Sequence, residues 1–147
     1  MPELYPFDYA VIRVVPRVER EEFINVGVIV SCPDRKYLNA GYELKPERLA
    51  ALDPTLDPAL IDQHLEAILA ICKGGAQAGP IGKLSPRARF HWLVAPRSTV
   101  IQTSPVHTGL CGDGDVMLEH LLDTMVRQGH EPASSRAEEL SGGLYHD

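Results

Sequence analysis

His107 and Cys111 stand four residues apart in the segment PVHTGLCG. If that segment begins a helical turn, the spacing puts imidazole and thiol on one face. A thiol with a lowered pKa, beside a base that can take its proton, is a nucleophile. Attack on a carbonyl, stabilisation of the charge by Ser104 or a backbone amide, and return of the proton to the leaving group would make a cysteine-dependent hydrolase or transferase. Asp113 or Asp115 would orient the imidazole. The alternative reading buries Cys111 and leaves His107 to stabilise its loop. His107, Cys111 and Asp113 with another histidine are also potential zinc ligands, but they form no compact four-ligand signature, so no metal is expected.

A second chemistry is anion binding. Arg97, Ser98, Thr103, Ser104 and His107 follow an apolar run, and a guanidinium fork with nearby hydroxyls suits phosphate or a nucleotide. The wider stretch from Ala67 to Gly112 carries Lys73, Lys83, Arg87, Arg89 and Arg97 and no acid, in a chain of formal net charge -6. Such asymmetry attracts an anion. The glycines of GGAQAGPIGKL miss the GxxxxGK[ST] spacing of a phosphate loop, which leaves turn formation as their main role. Arg13, flanked by Val11, Ile12, Val14 and Val15, needs an edge or an acid such as Glu22. It can also meet Asn25 and Arg97 over a sheet surface, unless Asn25 and Gly27 merely shape the start of a strand. The net acidity disfavours general nucleic-acid binding.

The elements that hold these residues follow from periodicity. With 147 residues, 44% of them hydrophobic, the chain suits one domain. Strands are expected at Tyr9 to Val15, Val26 to Cys32 and Tyr37 to Leu44, joined by short links into an antiparallel meander. A short helix follows from Pro46 to Leu52. A longer one runs from Pro58 to Cys72, capped by Asp57 and closed by Gly74. Arg89 to Ala95 alternates as a strand that would place Trp92 in the core, and Thr99 to Gln102 suits a fifth, short strand. Alternatively, Tyr42, His91 and Trp92 line a ligand face or a subunit contact. Asp115 leads into a helix ending near Gln128. The expected fold is α+β, an antiparallel or mixed sheet of four or five strands packed against two main helices. The domain spans 7–128, and 129–147 reads as a mobile tail whose anchor would be Leu144-Tyr145.

Cys32, Cys72 and Cys111 are odd in number and form no CxxC pair, which fits reduced thiols in the cytoplasm. No export signal and no 18-residue apolar run occurs, so membrane spanning is not expected. An open sheet edge covered by a second copy would make a homodimer.

Four segments taken together carry a resemblance. FDYAVIRVVPRVEREEFINVGVIV from Phe7, ALDP at 51–54, GGAQAGPIG at 74–82 and RFHWLVAPRSTVIQTSPVHTGLC at 89–111 resemble the bacterial DUF3037 family, in the same order, over residues 7–128. The resemblance implies a family of unknown activity, often encoded beside proteins with a HipA-like kinase fold. It supplies no catalytic residue and no cofactor. The expectation is a cytoplasmic accessory or protein-interaction module with a HipA-like kinase as partner; the alternatives are the anion or nucleotide module and the cysteine enzyme.

Overall fold

Strand β1, Tyr5–Val14, is the axis of the structure, a computed structural model that describes residues 3–97 and 99–127. Its apolar run faces two ways. Phe7, Tyr9 and Val11 enter one core, while Ile12 and Val14 enter another on the opposite face. This explains why the strand reads as continuously apolar rather than alternating. β2, Ile24–Cys32, and β3, Tyr37–Tyr42, complete the expected antiparallel meander. A register shift between Ile12 and Arg13 skips Val26, which therefore turns into the second core while Val28 and Val30 stay in the first. Gly27 sits at this bulge, where an added Cβ would lie 2.6 Å from the carbonyl oxygen of Gly41.

The other edge of β1 is shared by two short strands. β4, Ile101–Thr103, pairs antiparallel with Ile12 to Val14, and β5, His107–Cys111, pairs antiparallel with Tyr5 to Tyr9. Ser104 fills the gap between them. Its N–H donates to the Val11 carbonyl at 2.8 Å, and its Oγ accepts from the Val11 N–H at 2.9 Å.

Helices cover both faces of the sheet. α1 (Pro46–Leu52), α2 (Pro58–Lys73) and α3 (Pro86–Leu93) bury Leu49, Ile61, Leu65, Phe90 and Leu93 on the Ile12 side. α4 (Gly114–Met125) buries Met117, Leu118, Leu121 and Leu122 on the Phe7 side. Side chains set three of the starts: Asp57 accepts from the Ala59 N–H, Ser85 from Ala88 and Asp113 from Val116.

The expectation of two main helices is overturned. The fold is α+β with five strands, but the described residues hold four α-helices, which cover both faces of the sheet, and three short 3-10 segments. The main cause is the stretch expected as a strand from Arg89 to Ala95, which is the end of α3 and the turn after it. Ser85 and Pro86 form a helix start, and the buried pair Phe90 and Leu93 follows helical spacing. Trp92 consequently leaves the core and is 41% exposed. His107 to Cys111, read as a loop, is β5, and the short strand before it is shifted to Ile101–Thr103. α4 starts earlier than expected because its cap is Asp113. The expected tail, 129–147, lies outside the described residues.

Arg89 joins α2 to α3. It is buried, and its guanidinium donates to the carbonyls of Ile71 at 2.7 Å, Cys72 at 2.6 Å and Leu84 at 3.1 Å. Gly74, at φ +79°, leaves room for it, since a Cβ there would meet Arg89 Nη1 at 2.8 Å. Arg89→Met strands three carbonyls and should cost about 2–3 kcal/mol in urea denaturation. Arg87→Met, which removes a more exposed pair with Asp8, should cost clearly less.

Candidate functional site

Helix α2 carries more apolar surface than one buried stripe needs. Ile61, Leu65 and Cys72 point into the core, while Leu60, Ala67, Ile68 and Ile71 continue along the flank toward β4. The result is a trough between α2, the end of α3 and the 99–103 segment. One part is a cavity of about 180 Å³ walled by Ile68, Ile71, Trp92 and Ile101. An adjoining part of about 690 Å³ is walled by Leu56, Leu60 and Val100. His64, Arg97, Thr99 and Ile101 border both. Leu60 is 51% exposed, and with Trp92 it presents apolar area that no described residue covers.

Arg97 forms one wall of this trough. Its guanidinium lies 4.4 Å over the Trp92 ring and donates to the carbonyls of Trp92 at 2.7 Å and Leu93 at 2.9 Å. It thus closes the C-terminus of α3, where carbonyls lack helical partners, and holds Trp92 in place. Both Nη atoms of the fork are therefore engaged by backbone carbonyls. Thr103 borders the same trough. Ser98 lies outside the described residues.

The other candidates are elsewhere. Ser104 is the buried link between β4 and β5, and its hydroxyl also donates to the Pro105 carbonyl. Arg13 and Asn25 are register partners under the C-terminal end of α4, with Arg13 4.2 Å over the Phe23 ring and Asn25 donating to the Met125 carbonyl at 3.1 Å. Glu22, the acid expected for Arg13, pairs with Arg20. Arg97 is on the opposite side of the sheet, so these three residues do not meet. Tyr42 is tied to α2 through Asp62 and Glu66, and burial followed by these two acids pushes its phenol above the ordinary range.

His107 and Cys111 do not form a dyad. Four residues along an extended strand separate their Cα atoms by about 13 Å. His107 stacks on Tyr9 at 5.2 Å, whereas Cys111 is buried. Burial pushes the Cys111 thiol up to about 11, and neighbouring Cys32 adds to the effect. Asp113 caps α4 and Asp115 accepts from the Tyr37 hydroxyl at 2.7 Å, so both carboxylates are engaged. Among the described residues no group of three His, Cys, Asp or Glu side chains converges as a metal site.

Sequence reasoning missed the trough because it stopped at one helical face. Leu60, Ala67 and Ile71 form a second apolar row beside Ile61, Leu65, Ile68 and Cys72, and an apolar arc that wide marks a helix with more than one neighbour.

A family model described as "Protein of unknown function (DUF3037)" matches residues 9–126. No curated protein and no solved structure matches the chain. No helix among the described residues is long and apolar enough to cross a membrane.

The environments of the sulfurs make a direct forecast. Cys32, Cys72 and Cys111 are buried, and burial pushes the Cys72 thiol up to about 12. Folded protein at mildly alkaline pH should therefore resist an aromatic disulfide reagent, and all three thiols should react after unfolding. Rapid labelling of Cys111 in the folded chain would place its sulfur in solvent and restore the nucleophile reading.

Proposed function

The chain belongs to the DUF3037 family, proteins of unknown function, and from that premise we propose that it is a cytoplasmic accessory module that holds an apolar segment of a partner protein in the α2–β4 trough. The observation that carries this reading is the exposed apolar row Leu60, Trp92 and Val100 beside a cavity already lined by Ile68, Ile71 and Ile101. From Leu60 to Ile71 the helix offers about 16 Å of length, enough for three turns of a partner helix laid alongside. Trp92 is suited to anchor the Ile68–Ile71 end of such a contact, because its ring is stacked against Arg97 and loses little freedom on binding. His64 and Asp57 put polar groups at the rim. Three free thiols fit a reducing compartment.

The HipA-like kinase-fold protein implied by the family resemblance is the partner to test. Co-purification of the two folded proteins should survive moderate salt, because apolar burial is weakly screened. Trp92→Ala and Leu60→Asp should each weaken binding about tenfold or more, with thermal midpoints nearly unchanged. Failure to associate at both low and moderate salt removes this partner. Phosphate and mononucleotide titrations of wild type and Arg97→Ala separate the anion reading: saturable binding lost in the variant would favour it over the trough.

A further inference from the structure

The sheet has two outer edges, and the chain treats them differently. In β3 the bond from the Glu43 N–H to the Val26 carbonyl fixes the alternation, so the N–H of Ala40 points away from β2. That outward donor is taken by Oδ1 of its neighbour Asn39 at 2.9 Å. A side chain lying on the edge in this way obstructs an incoming strand.

Among the described residues the β5 edge has no such obstruction. Val11 directs both its backbone groups toward Ser104, so the odd-numbered residues of β1 face the β4–β5 side. Tyr9 with His107, Phe7 with Gly109 and Tyr5 with Cys111 are therefore the hydrogen-bonded pairs. Thr108 and Leu110 must turn their N–H and C=O groups outward. Pro6 agrees with this register, because it stands opposite Leu110 at a position where β5 needs no donor. The strand HTGLC contains no Lys, Arg, Asp or Glu. Leu4, Val106 and Leu110 around it are exposed. In a chain of formal net charge -6, this neutral edge is where two copies approach with little repulsion.

We infer that β5 is the contact through which two copies of the chain associate, each adding its strand antiparallel to the other about a two-fold axis at Gly109. In this register Thr108 opposes Leu110 of the second copy, and the reciprocal pair repeats the exchange, so every outward N–H and C=O of the two residues gains a partner. Gly109 faces its own equivalent in the close, non-hydrogen-bonded position, where the lack of a Cβ relieves crowding. Leu110 lies diagonal to Leu110 and Val106 of the second copy, which covers the exposed apolar side chains. A contact built on one five-residue strand is smaller than the roughly 1,600 Å² of a standard stable interface, so the dimer dissociates on dilution.

The test is sedimentation of the full chain from low micromolar to near-millimolar concentration, with hydrogen exchange at matching concentrations. A monomer–dimer equilibrium is expected, and the amides of Thr108 and Leu110 should become protected as dimer fills. Thr108→Pro removes an outward donor without touching the β1 ladder, and Leu110→Lys puts a charge on the edge. Each should weaken the dimer about tenfold or more. Leu60→Asp in the trough should leave it intact, which keeps this inference separate from the partner reading. Circular dichroism checks that the variants fold; if Thr108→Pro does not, Leu110→Lys gives the answer alone. A monomer at every concentration overturns the proposal, as do a dimer indifferent to folded edge variants and open-ended growth.

Discussion

Backbone polar groups shut away from water must be paired, and β1 makes that condition severe. The strand is covered on both faces, so water cannot satisfy its outer edge as it would in a one-sided sheet. Two separate segments meet the requirement, and Ser104 supplies the bonds at the break between them. This arrangement fixes where β4 lies relative to α2, and hence the far wall of the trough. It also fixes which backbone groups of β5 face outward. Both proposed contact surfaces are by-products of closing the same edge.

The acid-free central stretch has a structural explanation. Arg87 reaches Asp8 and Ser31 on the sheet, Arg89 holds the end of α2, and Arg97 holds the end of α3. Carbonyls at a helix C-terminus attract cations, and an acid among them would compete for the same guanidinium. The three arginines of the stretch thus bond to internal carbonyls, a serine and one carboxylate, while Lys73 and Lys83 stay exposed. Arg127 follows a similar rule outside that stretch, where Glu43, Glu119 and Asp123 surround it and hold its guanidinium firmly protonated.

The meander, α1 and α2 were legible because their signals are local: β-rich runs broken by turns, an Asp-Pro helix start and a Gly stop. α3 was misread because Phe90, Trp92 and Val94 alternate as convincingly as Phe90 and Leu93 recur at helical spacing. Only Ser85 with Pro86 breaks the tie. β5 was illegible for a different reason. HTGLC has little strand propensity and owes its conformation to the vacant edge of β1, which no window around residue 107 can reveal. The same non-local pairing separates His107 from Cys111, so linear spacing suggested a dyad that an extended backbone pulls apart.

The pairing of β1 with residues nearly a hundred positions later has a consequence for how the chain comes to be folded. The Val11–Ser104 and Asn25–Met125 bonds span 93 and 100 residues. During synthesis the meander emerges first, while one edge of β1 and the apolar face later capped by α4 still lack their cover. For that interval the nascent chain presents an unpaired strand and a bare hydrophobic sheet, the combination that holding chaperones recognise. High contact order also makes the final closure slow relative to formation of the local hairpins. The time between hairpin formation and arrival of α4 is thus the interval in which this fold is most vulnerable to aggregation.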